Sequence, residues 1–212
     1  MPDFDRNLDA SKLSFDGVNY KTRFKNLLVE IYSCYKLMIE DRVYVLNNEN
    51  KIRDILVDDY LSSNIDNYEF KKEEDNHLGR VDIYIVNNFL DTKPHFIIEC
   101  KRLDNKNING KDGLNGKYII NGIQRFLTEH YYLENNFNIN AMLGFIVEKI
   151  DISSNISALN ELSNKMFKNL VEIKQPIILE QEYIYHSSYQ TGKPEKDFFI
   201  YHLMMDFSNN IK

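Results

Sequence analysis

Three residues within one short stretch carry the chemistry this sequence can offer. Asp82 interrupts the apolar run VDIYIV, and a second apolar run, HFIIECK, ends on Glu99, Cys100 and Lys101. Strand side chains alternate between faces, so Val81, Ile83 and Ile85 share one face of the first run with Asp82 and Tyr84 on the other, and Glu99 and Lys101 leave one side of their strand while Cys100 leaves the other. If the two runs pair as a hairpin, Asp82 comes to lie beside Glu99. Two carboxylates and an ammonium then converge on one point. Carboxylate oxygens suit hard divalent cations such as Mg²⁺ or Mn²⁺. A lysine beside such a cation positions or helps to deprotonate water, or holds a phosphate. Acids are depleted in strands, and an unpaired charge among isoleucines is costly. The plainer alternative is a solvent-facing acid on one strand and a same-face charge pair on the other.

The surrounding pattern supplies elements to hold these residues. Residues 1–19 are polar and read as a lead-in. From Tyr20, the residues Phe24, Leu27, Leu28, Ile31, Tyr35 and Met38 recur at helical spacing. A second helix is expected over ENKIRDILVDDYLSSN, capped by Asn47 or Asn48, with Ile52, Leu56 and Tyr60 on one face. YEFKKE from Tyr68 reads as a strand before the hairpin. A polar loop over 104–117 carries Lys106, Lys111 and Lys117, and its length marks it as functional or mobile. A third helix follows, with Ile120, Gln124, Leu127 and Tyr131 on a stripe. Strands are expected at 141–148, 177–185 and 197–207, and a helix at 154–172, with a Gly192–Pro194 turn before the last strand. The final run, FFIYHLMMDF, is apolar on both faces, which suits a central strand or an interface. This order predicts one α/β domain over 20–212, a mixed central sheet flanked by helices.

Composition narrows the class further. With 43% apolar and 27% charged residues, the chain reads as a folded globular protein rather than a disordered one. A net charge of −6 argues against a general nucleic-acid coat protein but not against a metal nuclease, whose site needs acids. Two cysteines without a CxxC or a Cys/His cluster suggest neither zinc nor a disulfide framework, which fits a reducing, cytoplasmic setting. The N-terminus lacks a signal pattern, and no apolar run approaches the roughly 20 residues of a membrane span.

The pattern of Asp82 on one strand, then Glu99-Cys100-Lys101 on the next, resembles the PD-(D/E)xK phosphodiesterase superfamily, with its restriction-endonuclease-like fold. The proline of the family name is absent, since Arg80-Val81 precede Asp82. The resemblance implies a nuclease that hydrolyses phosphodiester bonds with Mg²⁺ or Mn²⁺, held by Asp82, Glu99 and the backbone carbonyl of Cys100. An acid on an upstream helix often completes that shell, and Glu49, one turn before Ile52, occupies such a place; an acid favoured by the helix dipole is the plainer reading. Some members set a glutamine on the following helix against the substrate or the lysine, as Gln124 would stand here. Several carry a tyrosine four residues on, where this chain has Thr128. DNA is the expected substrate rather than RNA, with prokaryotic anti-phage defence the expected setting. The resemblance also implies a homo-oligomer or a defence-system partner protein. The alternative is a catalytically inactive nuclease-fold module that binds nucleic acid or protein. An accidental motif would leave Asp82 and Glu99 more than about 8 Å apart, too far for shared ligation. The loop lysines fit phosphate contacts and a merely solvated loop equally well, whereas His77 and His202 read more plainly as surface or structural groups.

Overall fold

Side chains three and four residues apart put one apolar face on the first helix, and that face is the floor of the structure. The computed structural model describes residues 10–76, 79–87, 95–128, 137–190 and 197–212. Helix α1 spans Ala10–Glu40, and Phe24, Leu27, Leu28, Ile31, Tyr35 and Met38 are all buried along it. It starts ten residues before the expected Tyr20. No proline interrupts 10–19, and once a helix is nucleated each further residue adds a hydrogen bond.

Helix α2 (Glu49–Ile55) begins at Asn48, whose side-chain oxygen accepts the Lys51 N–H at 3.1 Å. This is the expected cap. A π-turn over Leu56–Leu61 then leads into α3 (Ser62–Asn64). Ile52, Leu56, Val57 and Leu61 are buried against α1 and the sheet, and Tyr60 packs partly buried beside them.

Seven strands form one mixed sheet: β1 (Tyr68–Asn76), β2 (Gly79–Asn87), β3 (His95–Leu103), β4 (Ile139–Ile146), β5 (Glu172–Gln181), β6 (Ile184–Gln190) and β7 (Phe198–Asp206). Their order is β1-β2-β3-β4-β7-β6-β5. β3, β4 and β7 run parallel, and the outer pairs are antiparallel. Between β3 and β4, the chain crosses through α4 (Leu114–Tyr118), a π-turn (Ile119–Ile123) and α5 (Gln124–Leu127). Helix α6 (Ile152–Phe167) follows β4. One core packs α1 and α2 on one face of the sheet, and a second packs α4, α5 and α6 on the other. Every residue of β4 is buried, as expected for a parallel strand covered on both faces.

Three readings change. The run at 177–185 is not one strand: it folds into β5 and β6, with Gln181 paired to Ile184 across a turn at Glu182 and Tyr183. No Gly, Pro or Asn marks that turn, so two short strands read as one. Val81 packs with the second core rather than with Ile83 and Ile85. Opposite this point Glu73 has φ 53° and drops out of the β1–β2 ladder, which interrupts the alternation. The loop after β3 is a series of turns, with Gly110 N–H donating to Asn107 O and Gly113 N–H to Gly110 O. Asn115 pins it through Ile108 O at 3.0 Å. His77, Tyr131 and the Gly192–Pro194 turn lie outside the described residues. No helix among the described residues is long and apolar enough to cross a membrane.

β7 lies between β4 and β6, so the doubly apolar final run is a central strand. His202 within it is fully buried, with Nδ1 2.8 Å from the Tyr118 hydroxyl and Nε2 2.7 Å from Ser187 Oγ. Burial, with a lesser push from His186, drives its pKa down to about 3. The unfolded chain therefore takes up a proton below about pH 6.5 that the folded protein refuses until about pH 3. Stability should fall with pH across that window, by up to about 1.4 kcal/mol per pH unit from this group. Urea melts of wild type and His202→Gln between pH 7 and 5 check this: the wild type should lose more, and equal slopes would refute the assignment.

Candidate functional site

The site forms where a ladder ends. β2 and β3 pair through Ile83↔Ile98, and their registered pairing goes no further toward Asp82 and Glu99. β3 continues alone against β4 as far as Leu103. Asp82 fills the resulting fork: its Oδ2 accepts the Cys100 N–H at 2.8 Å. Lys101 Nζ stands in the same fork. It donates to Glu99 Oε1 at 2.6 Å, to the Cys100 carbonyl at 2.6 Å, and to Asp82 Oδ2 and Glu49 Oε1 at 3.3 Å each.

Each acid is placed by a different element. Glu49 is the first residue of α2, and its Oε2 accepts the Arg102 N–H at 3.1 Å. Arg102 in turn donates to Asn47 O at 2.8 Å and Asn47 Oδ1 at 2.6 Å. The capped start of α2 is thereby fastened to the end of β3. Glu99 is fully buried and also receives Arg125 Nη1 from α5 at 3.1 Å. Asp82 has Arg53 of α2 behind it, with Nη1 3.6 Å from Oδ1. The crossover comes down closely over this fork. A Cβ on Gly122 would lie 2.2 Å from Met142 Cε and 3.6 Å from Lys101 Cγ, so the glycine allows the approach.

Burial by itself lowers the pKa of the Lys101 ammonium, but Glu99, Asp82 and Glu49 more than reverse this and hold it above the ordinary lysine range. With these three acids around it, Lys101 is charged at neutral pH. Cys100 is buried in the α1-side core, where burial pushes its thiol well above its usual range. Its carbonyl and its N–H, not its side chain, face the fork. In front of Glu49 and Lys101 lies a polar cleft of about 250 Å³ between Asn48 and Asn50 of the α2 start, Arg102, and Lys117 and Asn121 of the crossover.

Four of the expected groups are thus brought together: Asp82, Glu99, Lys101 and Glu49, along with the Cys100 carbonyl. Gln124 is not among them. It is half-buried, and among the described residues its side chain makes no hydrogen bond to the acids or to Lys101. The apolar stripe runs one position earlier than expected, through Ile119, Ile123, Phe126 and Leu127, because Gly122 sets which face meets the sheet. Arg125, beside Gln124, reaches the site instead. Arg53 and Arg125 were not legible as site residues. The available signals were a basic residue between Ile52 and Asp54 at i+4 from Glu49, and a cation following Gln124.

Among the described residues, no three His, Cys, Asp or Glu side chains stand as a preformed metal cage. The acids close instead on the Lys101 ammonium. Because Asp82 Oδ2 and Glu99 Oε1 lie 3.3 and 2.6 Å from one nitrogen, they are no more than about 6 Å apart. That lies within the roughly 8 Å beyond which the two acids could not share a cation. Comparison of the chain with family models, curated proteins and solved structures gives no match in any of the three.

Removing one partner of a buried charge cluster leaves the others uncompensated, at a cost of about 3–5 kcal/mol. Lys101→Met should destabilise by that order in EDTA. The Glu99→Gln/Lys101→Met double variant should lose less than the sum of the singles by at least about 1 kcal/mol. Urea melts give the cycle, and strict additivity would mean that the two side chains do not interact.

Proposed function

We propose that this chain is a metal-dependent phosphodiesterase of the PD-(D/E)xK type, acting on nucleic acid as a DNA endonuclease in prokaryotic anti-phage defence. The observation that carries the reading is the gathering of Asp82, Glu99, Glu49 and the Cys100 carbonyl around one cation, the Lys101 ammonium, at a polar cleft. The element order supports a restriction-endonuclease-like fold: a helix, antiparallel β1–β3, a crossover helix, then a parallel β4.

In this reading Asp82, Glu99 and the Cys100 carbonyl would hold Mg²⁺ or Mn²⁺, with Glu49 completing the set. When bound, such an ion polarises the phosphate and lowers the pKa of the attacking water. Lys101 orients that water or offsets charge growing on the phosphate oxygens. Lys117 and Arg102 line the cleft, where cations meet a phosphate backbone whatever its sequence. They give a chain of net charge −6 a local basic lip. Cutting both strands of a duplex would take two copies, or a partner protein.

A second reading is a catalytically inactive module of the same fold that binds nucleic acid or protein. It is favoured by the acids already having cation partners: Lys101 for all three, Arg53 for Asp82 and Arg125 for Glu99.

Purified protein incubated with plasmid, single-stranded DNA and RNA in Mg²⁺, Mn²⁺ or EDTA separates the readings. The wild type should cut DNA with metal and not in EDTA. Glu99→Ala and Lys101→Ala should lose at least about 100-fold, the scale of removing one stabilising group from an active site. Equal cleavage by the variants, or none by any form on any substrate, would overturn the enzyme.

A further inference from the structure

Arg53 stands at the fork behind Asp82 and does not line the cleft. Its side chain is only 3% exposed. Its Nε and Nη2 both donate to Asp54 Oδ1, at 3.1 and 2.8 Å, and Nη2 also donates to Glu73 Oε1 at 3.1 Å. One edge of the guanidinium is therefore anchored between α2 and β1. The remaining nitrogen, Nη1, is buried, makes no hydrogen bond among the described residues, and lies 3.6 Å from Asp82 Oδ1. An unsatisfied buried donor is uncommon and costly, so this one is expected to have a use.

The Asp82 carboxylate is split between two cations. Oδ2 takes the Cys100 N–H and Lys101 on the cleft side, and Oδ1 faces Arg53 behind. An aspartate has a broad, weakly restricted final torsion, so its plane needs an external stop. The anchored guanidinium cannot follow a moving carboxylate. It can only meet it, closing a contact just beyond hydrogen-bond length.

We propose that Arg53 is a positioning residue that fixes the Asp82 carboxylate with Oδ2 toward the cleft, so that the acid can receive a divalent cation there. The proposal rests on the metal-site reading above. Two simple roles predict opposite signs. A positive charge this close to a ligand would by itself repel a second cation, so its removal would tighten metal binding. A residue that orients the ligand would, on removal, weaken it.

Mn²⁺ titrations by calorimetry, with the bound ion followed by electron paramagnetic resonance, decide between them. They should be run on wild type, Arg53→Met and Arg53→Lys without nucleic acid, after circular dichroism has shown each to be folded. Arg53→Met should bind Mn²⁺ at least tenfold more weakly than wild type. Arg53→Lys keeps the charge but loses the two-point anchor, and should also bind more weakly, by a smaller factor. Wild-type binding with unchanged or tighter affinity in Arg53→Met, or unchanged affinity in Arg53→Lys, would overturn the role of Arg53 and leave the metal site standing. Should Arg53→Met fail to fold, Arg53→Lys alone decides. Absence of Mn²⁺ binding by the wild type would overturn both.

Discussion

The constraint on which the rest depends is the burial of one ammonium among three carboxylates. Lys101 is almost fully enclosed, and Glu99 beside it entirely so. Neither charge could stay there alone, because the desolvation of either is worth several kcal/mol. The fold therefore has to bring Asp82, Glu99 and Glu49 to the same nitrogen, and three separate elements do so. β2 leaves the ladder where Asp82 is needed, β3 carries Glu99 and Lys101 on one face, and α2 starts where Glu49 can reach both Lys101 and the Arg102 N–H. Such a cluster is a poor route to stability, since apolar side chains of similar volume commonly do as well. Stability alone therefore does not account for its place between two apolar cores.

The supports around the cluster are backbone features as much as side chains. Each helix that contributes a cation from behind or above contains a π-turn: one follows Arg53 and one precedes Arg125. Single π-turns inside α-helices recur near functional sites. Here the second brings Gly122 down onto Met142 and the stem of Lys101, while leaving Lys117 and Asn121 on the cleft. The parallel strands β3, β4 and β7 lie between two packed cores, which gives the fork a rigid base.

Much of this was legible in the sequence, and for identifiable reasons. Strand alternation fixed Glu99 and Lys101 to one side and sent the Cys100 side chain to the core. The apolar runs around Asp82 and Glu99 were pure enough for their pairing to be read. Glu49 was implied by the resemblance, and its spacing from Ile52 set it at the border of the inward face. Gln124 was drawn to the site by a stripe that also fitted one residue earlier, and only the close approach of Gly122 separates the two. Arg53 and Arg125 act across elements, through contacts that no local pattern records. The β5–β6 turn at Glu182 and Tyr183 carries no turn residue, and the early start of α1 falls in a polar stretch that reads as a lead-in although Asp9, a cap-type residue, precedes Ala10 in the sequence.

The central claim is that the Lys101 ammonium holds the place of a divalent cation between Asp82, Glu99 and Glu49. Crystals soaked in Mn²⁺ and measured at the manganese absorption edge test it directly. The account predicts one anomalous peak bonded to Asp82, Glu99 and the Cys100 carbonyl, with Lys101 Nζ moved off the carboxylates toward the cleft. Saturating Mn²⁺ that leaves Lys101 on Glu99 and Asp82, with no peak between the acids, would contradict it.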